Sequence, residues 1–295
     1  MPASMCKANG IELCFETFGD PADPPLLLVM GLGAQMIAWD DELCAAFVDR
    51  GFFVIRYDNR DVGLSSRIES SGGNFLESFA AAQQGQAIES PYKLSDMAAD
   101  AIGLLDHLGL QKAHVVGASM GGMIAQTIAI EHPDRVLTLT SIMSTTGEAE
   151  VGQPTPEAMA RLVQPPTNDR DVVIERAVES SRIIGGPEHF DEDRIRARSA
   201  AAFDRAFDPA GTARQLIAIM SSGSRAEGLA ALAVPTLVIH GDADTLVTPT
   251  GGQRTAELVP NAELLVIEGM GHDLPPVVWS QVVEAVTANT RRAAL

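Results

Sequence analysis

The sequence predicts an α/β fold: a mostly parallel β-sheet with helices on both faces and a helical segment inserted into it. Three observations lead there. Short apolar runs bounded by Gly and Pro alternate with stretches of helical periodicity, the rhythm of βα units in a parallel sheet. Those runs are apolar at nearly every position, as in strands buried on both sides. From Ser144 to Gly228 the rhythm lapses into Pro-punctuated helical segments and then resumes. The boundaries that follow are a first core part at 1–143, a helical cap at 144–228 and completion of the core at 229–295. At 295 residues, 46% of them hydrophobic, the chain can bury one large core with an accessory layer.

Asn9-Gly10 suits a two-residue hairpin turn, which sets Cys6 opposite Leu13 and points Cys14 to the other sheet face. Leu26 to Met30, between Pro24-Pro25 and Gly31, is a doubly buried strand. A helix capped by Asp40 buries Leu43 and Phe47 and stops at Gly51; Phe53 to Tyr57 is the next strand. The polar, Gly- and Ser-rich stretch from Ile68 to Pro91 reads as a surface excursion. After Ser95, Met97, Ala101, Leu104, Leu105 and Leu108 share one helix face that ends at Gly109. Ala113 to Gly117 is a strand, Met120 to His132 a helix stopped by Pro133, and Val136 to Met143 a strand. Within the insert, Glu157 to Gln164, Val172 to Ile184 and Arg194 to Phe207 are helical. Val234 to His240 and Ala262 to Ile267 are strands flanking a helix over Thr250 to Val259, and a last helix begins near Pro275.

A formal charge of −18 opposes nucleic acid and anionic membrane surfaces as partners. No apolar run reaches transmembrane length and the amino terminus lacks a leader pattern, so the chain reads as cytoplasmic. Cys6, Cys14 and Cys44 form no metal-binding spacing and read as buried free thiols; no metal or cofactor is expected.

Chemistry concentrates in loops at strand carboxyl ends. Gly117-Ala118-Ser119-Met120-Gly121 is a G-x-S-x-G between an apolar strand and a helix, a turn that lifts a serine out of the sheet. A serine hydroxyl becomes a nucleophile only with a neutral histidine to take its proton and a carboxylate to orient that histidine. Of six histidines, His272 in Gly269-Met270-Gly271-His272 follows the last strand in a loop able to reach the serine; His240 is a weaker alternative. Asp242 and Asp244 both follow one strand, and residue pattern alone does not choose between them.

These loops, in the order Ser, Asp, His, together with Asp58 to Ser65 after the fourth strand, resemble the α/β-hydrolase superfamily over nearly the whole chain. Leu26 to Gly31, Arg56 to Asp58 and Gly269 to His272 are similar to the aclacinomycin methylesterases and related bacterial carboxylesterases. The resemblance implies a catalytic set of Ser119, Asp244 and His272, and oxyanion donors in the backbone N–H groups of Leu32 and Met120. One departure stands out: many members carry His-Gly where this chain has Met30-Gly31, which leaves open what braces the oxyanion loop. Met36, Trp39 and Met123 are candidate substrate-binding residues. Apolar residues of the insert, such as Met159, Leu162, Leu216, Ile219 and Met220, fit either core stripes or a pocket wall.

The leading expectation is a serine hydrolase that cleaves a small-molecule carboxylic ester through an acyl-enzyme on Ser119. Two alternatives accompany it: a cofactor-free haloperoxidase or perhydrolase, whose elbow often reads Ser-Met-Gly-Gly as Ser119 to Gly122 does, and a small-molecule receptor with an idle triad.

Overall fold

The computed structural model describes residues 3–69 and 86–293. Most of the excursion expected between Ile68 and Pro91 lies outside the described residues. Ile68 itself packs against the core, its N–H donating to Asp61 Oδ1 at 2.7 Å.

A single eight-stranded sheet runs in the order β1-β2-β4-β3-β5-β6-β7-β8. β1 (Ser4–Ala8) and β2 (Ile11–Phe18) form the antiparallel hairpin, with Asn9 and Gly10 at φ 49° and 81° and Cys6 opposite Leu13. β2 pairs antiparallel with β4 (Phe53–Tyr57). From β4 onward all pairing is parallel, through β3 (Pro25–Val29), β5 (Ala113–Ala118), β6 (Val136–Ile142), β7 (Thr236–Gly241) and β8 (Glu263–Ile267).

Side chains alternate between the two faces of each central strand, and each set meets helices. On one face Leu27, Val29 and Val115 join α2 (Leu94–His107) and α3 (Met120–Glu131). On the other Leu26, Leu28 and Val116 join α1 (Asp41–Val48) and α10 (Pro276–Thr290). This is the three-layer fold that the sequence predicts. Asp40 stands at the N-cap of α1, but its carboxylate makes no capping bond and instead pairs with Arg194 at 2.7 Å.

Between β6 and β7 lie α4 (Pro156–Leu162), α5 (Arg170–Ile184), α6 (Glu192–Arg205), α7 (Pro209–Ser222) and α8 (Ala226–Ala230). The first four begin at Thr155, Asp169, Asp191 and Asp208, whose side-chain oxygens accept from exposed helix N–H groups. α9 (Thr250–Leu258) joins β7 to β8. Among the described residues no helix is long and apolar enough to cross a membrane.

Candidate active site

The carboxyl ends of β3, β5, β7 and β8 converge on one cavity of about 1060 Å³. Ser119 sits at the turn from β5 to α3, with φ 57° and ψ −122°. Side-chain-bearing residues rarely adopt that conformation, which costs on the order of 1–3 kcal/mol. Two glycines make the turn possible. A Cβ on Gly117 would come within 2.0 Å of Gly121 O, and one on Gly121 within 2.1 Å of Val29 O. The turn is tied to β6 by Ser119 N–H donating to Ile142 O at 2.9 Å.

His272 reaches back from the loop after β8. Its Nε2 lies 2.9 Å from Ser119 Oγ and its Nδ1 2.8 Å from Asp244 Oδ2. A carboxylate can only accept, so Nδ1 carries the proton and donates to Asp244, leaving Nε2 to accept from the serine hydroxyl. Asp244 is buried, and its Oδ1 accepts from the N–H groups of Leu246 and Val247 at 2.9 Å each. Burial pushes its carboxyl pKa up, but the neighbouring His272 and His240 outweigh that and hold it below the usual carboxylate range.

The two aspartates after β7 occupy different positions. Asp242 is exposed and accepts from Gly269 N–H at 2.7 Å, fastening the loop that carries His272. His240, at the end of the same strand, is buried beside Asp244, with Nε2 2.7 Å from Val247 O and 3.5 Å from Asp244 Oδ2. It therefore lies behind the aspartate and away from the serine. His114 sits at the start of β5, His107 ends α2 and His132 follows α3, and none of the three lines the cavity.

Leu32, in the loop after β3, and Met120, the first residue of α3, are the expected oxyanion donors, and both line the cavity with Ser119. Gly31 is packed so closely that a Cβ there would lie 3.0 Å from Ser119 Cβ. Among the described residues the Leu32 N–H meets no acceptor.

The three candidate substrate-binding residues divide. Met123 lines the cavity, whereas Met36 and Trp39 are fully buried in the core and do not. The same loop turns Ile37 and Ala38 toward the cavity instead. The 3-10 turn over Met36–Ala38 reverses which side chains face inward, and sequence spacing carried no signal for it. Met159, Leu162, Leu216, Ile219 and Met220 all line the cavity, so the apolar stripes of α4 and α7 form wall as well as core.

The Asp58 to Ser65 segment has a role that spacing alone left unread. Asp58, buried, accepts from Met36 N–H at 2.8 Å and Leu64 N–H at 2.9 Å, and Asn59 donates to Met30 O at 2.9 Å. It braces the loop after β3. Among the described residues no group of three or more His, Cys, Asp or Glu is arranged to hold a metal ion.

A mostly parallel sheet with a nucleophile-type elbow after β5 defines a hydrolase architecture. The family model described as alpha/beta hydrolase fold matches residues 24–276, and the chain belongs to that family. It is 34% identical to rhodomycin D methylesterase DnrP of Streptomyces peucetius, with 99% of each chain covered. It is 28% identical to 3-oxoadipate enol-lactonase 2 of Acinetobacter baylyi, over 95% of this chain and 94% of the relative. Among solved structures, the meta-cleavage product hydrolase CumD of Pseudomonas fluorescens superposes with a TM-score of 0.76 at 22% identity, covering 99% of this chain and 98% of that one, a likeness of fold.

Proposed function

We propose that the chain is a carboxylic ester hydrolase that works through an acyl-enzyme on Ser119, with His272 as base and Asp244 as its orienting carboxylate. The observation that carries this reading is the continuous relay from Ser119 Oγ through His272 to Asp244, at 2.9 and 2.8 Å. Ser119 Oγ attacks the ester carbonyl carbon as its proton passes to His272 Nε2. The carbonyl oxygen becomes an oxyanion that accepts from the N–H groups of Leu32 and Met120. Asp244 stabilises the imidazolium meanwhile. Collapse breaks the bond to the alcohol oxygen, which takes the proton from His272. A water then gives its proton to His272 and attacks the acyl carbon, releasing the acid and restoring Ser119.

The substrate class proposed is the methyl ester of a bulky, largely apolar acid. The methylesterase relatives support the small alcohol, and a cavity of about 1060 Å³ walled by Met123, Met159, Leu216 and Ile219 supports the large acyl group. In this reading residues 144–228 form a cap over a core made of 1–143 and 229–295, and the cap sets which esters enter.

The test compares wild type with Ser119→Ala on p-nitrophenyl esters and on methyl esters of bulky acids. Turnover should fall by about 10³ to 10⁶ with the fold intact, and a serine-directed organophosphonate should label Ser119 alone. A Ser119→Ala protein that keeps more than roughly a tenth of wild-type activity refutes the assignment.

A further inference from the structure

The loop after β3 carries the proposed oxyanion donor Leu32 between two glycines, Gly31 and Gly33, residues that by themselves leave a backbone free to turn. Within it, Ala34 N–H donates to Gly31 O at 3.2 Å. On one side Gly31 abuts Ser119. On the other the loop is held from the segment between β6 and β7. A Cβ on Gly33 would meet Thr212 of α7 at 2.9 Å, so that helix packs directly on the loop backbone. Gln35 donates to the carbonyls of Ala202 and Ala206 at 2.6 Å each and accepts from Arg205 at 2.6 Å.

The most specific of these ties is Gln215, a fully buried side chain of α7 that lies 182 residues along the chain from Gly33. Its Oε1 accepts from Gly33 N–H at 2.8 Å and its Nε2 donates to Arg60 O at 2.8 Å. A primary amide supplies both groups; an apolar side chain of the same size would strand a buried N–H and a buried carbonyl. Gly33 N–H belongs to the peptide unit that follows Leu32. With that unit tied to Gln215 and Gly31 seated on Ser119, the Leu32 N–H keeps little freedom to turn away from the nucleophile.

We infer that Gln215 is a positioning residue for ester hydrolysis, holding the Leu32 N–H in the orientation that receives the oxyanion. The inference rests on the proposed reading of the site. It also answers the departure at Met30-Gly31: the loop is braced from α7 as well as from Asp58 and Asn59. Charge on the carbonyl oxygen develops fully only toward the tetrahedral state, so a misaimed donor lowers kcat and leaves ground-state binding almost untouched.

The experiment compares wild type, Gln215→Met and Gln215→Glu on a p-nitrophenyl ester and with a trifluoromethyl ketone. That ketone bonds reversibly to Ser119 Oγ, the serine proton moves to His272, and its carbonyl oxygen becomes an oxyanion. Gln215→Met should lose about ten- to a hundredfold in kcat with KM changed by less than about threefold, and ketone affinity should fall in step with kcat/KM. Gln215→Glu keeps an acceptor for Gly33 N–H but, as a carboxylate, loses the donor to Arg60 O, so it should recover only part of the lost kcat. Unchanged kcat in Gln215→Met, or a loss confined to KM, overturns the inference. If Gln215→Met is not folded by circular dichroism, Gln35→Leu, which frees the same loop from α6, must show the same kcat-weighted loss and the same fall in ketone affinity; unchanged kcat there overturns the inference as well. Ser119→Ala separates the two levels. An active Ser119→Ala protein fells the reading of the site and this inference with it, whereas an inactive Ser119→Ala beside a fully active Gln215→Met fells the inference alone.

Discussion

Asp242 and Asp244 differ by two positions and by everything around them. Asp244 Oδ2 faces the imidazole of His272, while Asp242 accepts from the Gly269 N–H of the loop that carries His272. Asp244→Asn should therefore lower kcat/KM by about 10² to 10⁴, because an amide in that place no longer stabilises the imidazolium or enforces the tautomer. Asp242→Asn keeps an acceptor for Gly269 N–H and should stay within about tenfold of wild type. Steady-state kinetics on one ester checks both; the reverse ordering would exchange their roles. His114 makes a different residue-scale prediction. Burial depresses its pKa from 6.5 to about 4, so it is neutral in the folded protein at pH 5 and protonated in the unfolded chain. The unfolded state then binds more protons, and stability present above about pH 6.5 is lost as pH falls toward 4. Urea unfolding at pH 7 and pH 5 should differ by ~2 kcal/mol from this group, and His114→Gln should remove that part of the difference.

At the scale of elements, the β5 to α3 elbow depends on close backbone passage. Gly121→Ala places a methyl 2.1 Å from Val29 O and 2.6 Å from Val29 C, atoms of β3 that lead directly into the loop of Gly31 and Leu32. It should destabilise the protein by about 3 kcal/mol or more and depress activity on every ester together, measured by denaturant melts and kinetics. α4 should behave differently. Met159 and Leu162 line the cavity and take no part in the hydrogen bonds of the Ser119 to Asp244 relay. Leu162→Phe should reduce kcat/KM on bulky methyl esters about tenfold and change acetate esters by less than about threefold. Equal losses on both would contradict a wall role. The helices between β6 and β7 also reach the loops of the proposed relay: His272 N–H donates to Ile184 O, at 2.6 Å, and Thr245 Oγ1 donates to Ile183 O, at 2.8 Å. Changes at α5's carboxyl end, unlike those at α4, should affect all substrates.

Over the whole molecule, the cysteines are packed into the interior. Cys6, Cys14 and Cys44 are all buried and free. Burial pushes the Cys14 thiol up to about 11, with the charge of Asp58 adding to it, and pushes Cys44 up to about 12. Thiolate is the reactive form. Native protein at pH 8 should therefore resist iodoacetamide, and denatured protein should take up three equivalents. Fast labelling of the native chain would mean that these positions open readily. The same density of packing joins distant segments: Arg205 of α6 pairs with Asp58 at 2.7 Å, and Arg214 of α7 pairs with Asp61 at 2.7 and 2.9 Å. The helical segment is thus pinned to the turn after β4 by partly buried arginines on two fully buried carboxylates, and removing an arginine leaves a buried carboxylate short of a partner, which is destabilising.

By itself the sequence determined the βα alternation, the strands with apolar runs, the hairpin at Asn9-Gly10, the glycine-flanked turn at Ser119 and the lapse of rhythm after Ser144. Each of these is written in neighbours along the chain, in periodicity and turn chemistry, and so can be read without contacts. The tertiary structure decided what depends on distant partners. It turned Asp40 from its helix cap to Arg194, set His240 behind Asp244, buried Met36 and Trp39 while exposing Ile37 and Ala38 to the cavity, and placed Gln215 against Gly33. A hydrogen bond across 182 residues leaves no local trace. Nothing near Gln215 in the sequence distinguishes it from any other polar residue on an amphipathic helix, and only the packing of α7 onto the loop after β3 gives it both a donor and an acceptor to satisfy.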